Sequence, residues 1–161
     1  MEKRHSTYLI LGCLVWAVLG TSATAYYYTQ YTTYRHEYSN LAKQLDSVSI
    51  RVNVLLSYGN ETRVWQNSTV LPLNSTAFIA ISTTAADLDY TDYGGELGIL
   101  ITAINGVAGN STCGWFYWYW DSQNSHWMLP EYSAAKHILH DGDTIAFAYS
   151  DFLGWPPPPP T

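Results

Sequence analysis

The sequence has 161 residues, which is enough for one domain with appended segments but not for two full domains. Aromatic residues make up 16% of the chain and charged residues only 12%, a balance typical of an extracytoplasmic, β-rich protein rather than of a cytosolic enzyme. Seven basic residues against thirteen acidic ones leave no patch that could neutralise phosphates, so nucleic acid is excluded as a partner.

The N-terminal segment has the features of a membrane anchor. Lys3 and Arg4 precede an uncharged stretch over 7–25, whose length just reaches the roughly 17–25 residues that a spanning helix needs. Because basic residues stay on the cytoplasmic side, we expect a cytoplasmic tail over 1–6 and a single-pass protein of the cell membrane with its C-terminal domain extracytoplasmic. The competing interpretation is a cleaved signal peptide, since residues 23–25 match the small-x-small cleavage pattern.

The segment 26–48 is predicted to form a helical stalk. Its apolar residues recur at alternating spacings of four and three, which is the seam of a coiled coil. These positions are Tyr27, Tyr31, Tyr34, Tyr38, Leu41, Leu45 and Val48. The stripe predicts either a homo-oligomer formed through the stalk or a helix that packs within its own chain.

The head domain is predicted over 49–153, where the apolar period changes to two. Alternating residues over 50–58 indicate a strand, and 62–70 indicates its antiparallel return. A short helix is expected within 73–86, with Asn74 or Ser75 as its N-cap.

The second half of the head contains further strands. A buried strand that ends at an Asn105-Gly106 turn is predicted over 97–107, followed by an aromatic strand over 115–120 and a strand over 126–129 that pairs back on it. A short helix is expected near 132–137, and the last strand over 144–149. The chain then ends in a polyproline tail over 154–161, which is either a stiff spacer or a ligand for aromatic grooves.

The six consecutive aromatic residues are the strongest candidate for a functional site. In a strand, alternate side chains point to opposite faces, so Phe116, Trp118 and Trp120 share one face. That face is either buried or an exposed shelf suited to binding, since tryptophan combines large area with a polar handle. The candidate residues for ligand or partner binding are Trp115, Phe116, Trp118, Trp120 and Trp127.

Three motifs in this order carry a resemblance to a known family. They are "ITAINGV", "WFYWYW" and "DGDTIAFAYSDF", and the match covers about 50–153. The head resembles the transcobalamin-like C-terminal domain family, an extracellular module found in cobalamin carriers and in membrane-anchored archaeal and bacterial surface proteins. The resemblance implies an α+β fold, a small β-grasp-like, mostly antiparallel sheet with one or two short helices. In the carriers this domain forms half of a cobalamin clasp, so cobalamin is the one cofactor that the resemblance implies.

No catalytic motif is present, and we expect no enzyme activity and no metal. His137 and His140 are spaced like a metal pair but lack a clear third ligand, so surface histidines beside a turn are the simpler interpretation. Cys13 and Cys113 are not expected to form a disulfide. Four glycosylation sequons begin at Asn60, Asn67, Asn74 and Asn110.

Together these features predict a membrane-anchored, extracytoplasmic and non-catalytic binding module. Its aromatic β surface is expected to meet a surface protein or a glycan. The alternatives are a cell-surface receptor for a small, cobalamin-like ligand and a pilin-like filament subunit.

Overall fold

A computed structural model describes residues 2–160, with side chains described from residue 11 onwards. The side chains of the predicted cytoplasmic tail over 1–6 therefore lie outside the described part. The chain divides into two compact units between Ser47 and Val48, close to the predicted boundary between stalk and head.

The first unit is one continuous helix, α1, Glu2–Val48. The prediction that the N-terminal segment and the stalk are helical is confirmed. Within the described residues, however, no helix combines the length and the apolarity that a membrane crossing requires. The membrane span predicted over 7–25 is not supported by this finding and stays a prediction, since residues 7–10 lie outside the part of the chain whose side chains are described.

The apolar stripe of the stalk is exposed along α1. Its side chains between Tyr31 and Leu45 keep more than half of their surface accessible to solvent. An isolated helix of this kind gains nothing from its apolar face unless another surface covers it. Association through the stripe remains a prediction.

The second unit holds nine elements after α1. They are β1 Ser49–Ser57, β2 Arg63–Pro72, α2 Ala77–Thr84, β3 Leu88–Asp92, β4 Ile99–Ile104, β5 Val107–Ala108, β6 Cys113–Asp121, β7 His126–Met128 and β8 Thr144–Asp151. The strands form a five-stranded sheet in the order β2-β1-β8-β6-β7 and a three-stranded sheet in the order β3-β4-β5. Only β1 and β8 run parallel. The predicted α+β, mostly antiparallel architecture is confirmed, but with two sheets where one was expected.

Helix α2 begins one or two positions later than the predicted caps, Asn74 or Ser75, would place it. Its N-cap is Thr76, whose side chain accepts a hydrogen bond from the Ile79 N–H. Asn74 has a left-handed backbone with φ 65°, and Ser75 is buried, so neither is placed to cap the helix.

The helix predicted near 132–137 is wrong. The segment makes a single turn, in which the Lys136 N–H donates to the Ser133 carbonyl. Its backbone instead serves α2: the Ala134 and His137 carbonyls accept from the Phe78 and Ala77 N–H groups. The first N–H groups of a helix lack partners within it, so this segment satisfies the start of α2 and cannot itself continue as a helix.

The strand predicted over 97–107 begins later than predicted, at Ile99, and ends at the predicted Asn105-Gly106 turn. Both turn residues have positive φ, and the chain continues beyond them as β5. The amide oxygen of Asn105 accepts from the Ala86 and Asp87 N–H groups, which ties the end of α2 to this turn.

Both faces of the five-stranded sheet are apolar. One face, with α2 and the three-stranded sheet, forms the main core, which includes Trp115, Tyr117 and Phe147. The opposite face carries a second cluster, built from Leu55, Trp118, Ala146 and Ala148. The alternation predicted for the aromatic strand is confirmed, since its odd-numbered aromatics join the first cluster and Phe116 and Trp118 join the second.

The stalk can be tested by crosslinking. We predict that a cysteine at Tyr38, in a chain whose own two cysteines are serine, forms disulfide-linked dimers, because the exposed stripe gains burial only from a second copy. Replacing Leu41 and Leu45 with Asp puts like charges into that seam and should abolish the crosslink. Equal crosslinking in the double-Asp variant would show that the stripe does not mediate association.

Candidate functional site

Trp115 belongs to the main core. It is buried, and its indole Nε1–H donates to the Val107 carbonyl at 2.8 Å. Its ring packs edge-on against Tyr58 and Tyr149, with centroids 5.4 and 5.5 Å away. This side chain ties β6 to the start of β5, and its buried ring forms part of the wall of a small cleft.

Tyr117 makes a contact that the sequence pattern did not reveal. Its hydroxyl hydrogen-bonds to Nδ1 of His137, and the rings of Tyr119 and Tyr132 also pack edge-on against that imidazole. Burial raises the pKa of Tyr117 and lowers the pKa of His137, so the pair is held as phenol and neutral imidazole. Nothing in the spacing of these residues along the chain signals the cluster, because it forms only when the segment 132–137 packs on β6.

His140 has a different partner. Its imidazole Nδ1 lies 3.7 Å from a carboxylate oxygen of Asp143, and its backbone N–H donates to the same oxygen. The two histidines considered as a metal pair are therefore engaged separately. Over residues 11–160, no three His, Cys, Asp or Glu side chains come together as metal ligands.

The second face of the sheet is centred on Trp118, which is only 4% exposed. Across the strands it lies beside Ala146 of β8, which in turn lies beside Leu55 of β1. The next row places Phe116 beside Ala148. The two alanines make a low floor between larger side chains. The indole Nε1 of Trp118 is buried and has no hydrogen-bond partner in the described structure.

The exposed end of this face is formed by Trp120 and Trp127. They are directly opposite each other on β6 and β7, with ring centroids 5.2 Å apart and planes at 73°. Trp120 is 38% exposed, and Trp127 is half-buried. Of the five candidate residues, these two combine a large aromatic surface with access from solvent.

The turn after Trp120 is rigidly held. The carboxylate of Asp121 accepts hydrogen bonds from the Gln123 N–H and from the Asn124 backbone and side-chain amides. The Asn124 side-chain bond is the main reason that the pKa of Asp121 lies below its usual value. The turn places exposed amide groups at the same end of the sheet as the two tryptophans.

Phe116 is covered by the C-terminal segment of the chain. Phe152 and Trp155 both pack edge-on against its ring, with centroids 6.4 and 6.3 Å away. The remaining surface of Phe116 lines a cleft of about 200 Å³ between β6, β4 and the segment 129–134. This volume is below the roughly 300–1,000 Å³ of pockets that enclose a small-molecule ligand.

The four sequon asparagines are exposed. Asn110 differs from the others in its contacts: its amide oxygen accepts from the Thr112 and Cys113 N–H groups, and its amide nitrogen donates to the Tyr149 hydroxyl. A glycan on that nitrogen would leave it a single N–H for the bond to Tyr149. Modification of any of the four remains a prediction.

No protein-family model matches the sequence, and no curated protein matches it. The crystal structure of haptocorrin in complex with Cbi is similar, with a TM-score of 0.54 and 14% sequence identity. The alignment covers 65% of this chain but only 26% of the haptocorrin chain. The chain thus shares the fold of part of haptocorrin, a distant relationship consistent with the resemblance to transcobalamin-like domains.

A bacterial protein is also similar in structure. It comes from Ruminococcus gnavus ATCC 29149 and is named as a candidate metal binding protein, with 15% identity and a TM-score of 0.48. The alignment covers 64% of this chain and 98% of that one. At this score the similarity carries no argument about the site.

The burial of the two faces can be tested by stability. Trp118→Ala should lower the free energy of unfolding by about 3–5 kcal/mol, as is typical when a buried aromatic side chain is removed. Trp120→Ala changes a partly exposed side chain on the same strand and face, so it should lower the free energy of unfolding clearly less. Urea unfolding of the two variants measures the difference, and equal losses would show that Trp120 is as much a part of the core as Trp118.

A second test concerns His137. Because burial keeps its pKa below the ordinary 6.5, the unfolded chain binds a proton first as the pH falls, and stability should decrease from about pH 6.5 down to the folded pKa. His137→Gln, which does not titrate, should reduce that slope in unfolding measured between pH 7.5 and 5. His140→Gln removes only a minor cause of the lowered pKa of His137 and should reduce the slope less. An unchanged slope in the His137 variant would contradict the assignment.

Proposed function

We propose that the chain is a non-catalytic binding module whose ligand stacks on Trp120 and Trp127. The observation that supports this most directly is that two indole rings pack together at a solvent-accessible end of the face, whereas Trp65, also exposed on this face, lies at its opposite edge. Exposed tryptophans bring large contact area with little conformational entropy to lose, which is why they dominate many binding sites. Extracytoplasmic placement is part of the proposal and is supported by the composition and the four sequons.

Of the two partner classes expected from the sequence, the proposal takes a glycan. A sugar ring has an apolar face that fits an indole ring and hydroxyls that need hydrogen-bonding groups beside it. The turn 122–125 supplies exposed polar side chains next to Trp120, including the amides of Gln123 and Asn124. Asp121 holds this turn in place, so the polar groups stay near the ring without a ligand.

A flat small ligand of the cobalamin type is the second candidate. The fold similarity to haptocorrin, whose structure is a complex with Cbi, favours it. The cleft beside Phe116 is too small to enclose such a ligand, since it holds only about 200 Å³. Because the planes of Trp120 and Trp127 stand at 73° to each other, a flat corrin would instead stack on one of the two indoles with its other face open, as expected for one half of a clasp.

The test is a comparison of tryptophan variants. The full chain is probed on an oligosaccharide array and titrated with cobalamin, with tryptophan fluorescence as the readout. We expect binding by the natural chain and a loss of about tenfold or more when Trp120 and Trp127 are both alanine, as removal of hot-spot aromatics typically gives.

Trp65→Ala is the matched control. Trp65 is 48% exposed and lies on the same face, but on β2 at the opposite edge of the sheet. Its removal should leave binding unchanged. The proposal is wrong if the double variant binds like the natural chain, or if the natural chain binds neither the array nor cobalamin at millimolar concentration. Which probe binds decides between the two candidates.

A further inference from the structure

The polyproline tail lies on the second face of the five-stranded sheet. Trp155 packs against Phe116 of β6, and the Ser150 hydroxyl of β8 donates to the Pro158 carbonyl at 3.4 Å. Ser150 continues the alternation of Ala146 and Ala148, so it belongs to the same face as those alanines. The tail therefore crosses from β6 towards β8 over this face.

The burial pattern of the prolines shows how the tail is seated. Pro157 is fully buried and Pro160 is buried, whereas Pro158 and Pro159 between them are exposed. A polyproline II helix has three residues per turn, so positions three apart lie on one side of it. One side of the tail is docked on the protein, and the other two sides face solvent.

The face has the features of a site that recognises proline-rich segments. Such segments dock on aromatic grooves as preformed polyproline II helices, and their carbonyls accept hydrogen bonds because the helix uses none internally. Phe116 and Trp118 supply the aromatic wall, and Ser150 supplies a donor. The two alanines of β8 keep the floor of the face low.

One donor on this face is left over. The indole Nε1 of Trp118 is buried without a partner, whereas the tail's hydrogen bond on this face runs from Ser150 to the Pro158 carbonyl. A buried donor without an acceptor is unfavourable. The tail therefore covers this face without supplying an acceptor for the Trp118 N–H. A proline-rich segment that brings a carbonyl to this nitrogen would make one bond more than the tail does.

From these contacts we propose that the second face is a binding groove for a proline-rich segment of another protein, and that the chain's own residues 155–160 occupy it until such a segment replaces them. The tail is favoured in its own groove by its short connection to β8, since tethering raises its effective concentration to the millimolar range. The groove is separate from the proposed stacking site: Trp120 lies four residues along β6 from Phe116, roughly 13 Å away. The proposal does not depend on the glycan or cobalamin site.

The experiment opens the groove in the full chain and offers the tail sequence as a separate peptide. In the open variant, Pro157 and Pro160 are both Asp, which places charges at the two docked positions. A dye-labelled peptide of sequence WPPPPPT is then titrated, with fluorescence polarisation as the readout. The open variant should bind it about tenfold or more tightly than the natural chain, whose tail competes from within.

The chain itself offers the matched control. Pro158 and Pro159 lie between the docked positions and face solvent, so the same double change to Asp there should leave the tail seated and peptide binding as weak as in the natural chain. If the open variant remains folded, as judged by cooperative melting, and takes up no peptide at millimolar concentration, the face is only a part of the core that the tail closes. Equal binding by both double variants would also overturn the proposal.

A milder pair of substitutions covers the case in which the charged variant does not fold. Pro157→Ala with Pro160→Ala weakens the docked side without adding charge, and Pro158→Ala with Pro159→Ala is its control. The first should bind the peptide more tightly than the second. If the two alanine variants bind it equally, the proposal is wrong.

Discussion

Strand β6 has to bury aromatic side chains on both of its faces, and the rest of the head is arranged around that requirement. A strand presents alternate residues to opposite sides, so six aromatics in a row cannot all enter one core. On one side, α2 and the three-stranded sheet complete a layered core around Trp115 and Tyr117. On the other side there is no helix layer of the head, and the cover near Phe116 comes from the last residues of the chain.

The two faces differ in how well their polar groups are satisfied. On the core side, the Trp115 indole donates to Val107, and the Tyr117 hydroxyl is bonded to His137. On the tail side, the Trp118 indole is buried to the same degree but has no acceptor. Buried polar groups in finished cores are almost always paired. Ser75 Oγ, just before α2, is buried without a partner as well, so the contrast holds for the aromatic side chains of β6. Among these, Trp118 is the one for which a further contact would be favourable.

Much of the fold follows from local patterns in the sequence, and the parts that do not follow depend on distant contacts. The period of two predicted β1 and β6, and it assigned Trp115 and Trp118 to opposite faces. The period of three and four predicted the helical stalk. These patterns need only the local geometry of a strand or a helix.

The features that the sequence predicted wrongly or left open have a common physical cause. Residues 132–137 have a helical pattern, but their carbonyls are taken by the start of α2, more than fifty residues earlier in the chain. The burial of Trp118 likewise depends on Leu55 and Ala146, and the docking of the tail joins Trp155 to Phe116. No local periodicity reports contacts between residues so far apart in sequence. The sequence therefore predicted the strand that carries the candidate site and the face on which its residues lie. It did not predict which of these residues reach solvent, because that depends on where the tail lies.

The exposure of Trp120 follows from the position of its strand neighbours and not from the choice of one side-chain rotamer. The pairing of β6 with β8 ends at Tyr119 opposite Ile145, so Trp120 has no alanine of β8 beside it to rest on. Its neighbour is Trp127 on β7, a strand of only three residues. A tail of five prolines spans roughly 15 Å at about 3.1 Å per residue. Since it starts near Phe116 and runs towards β8, it leads away from Trp120 and leaves that end of the face open.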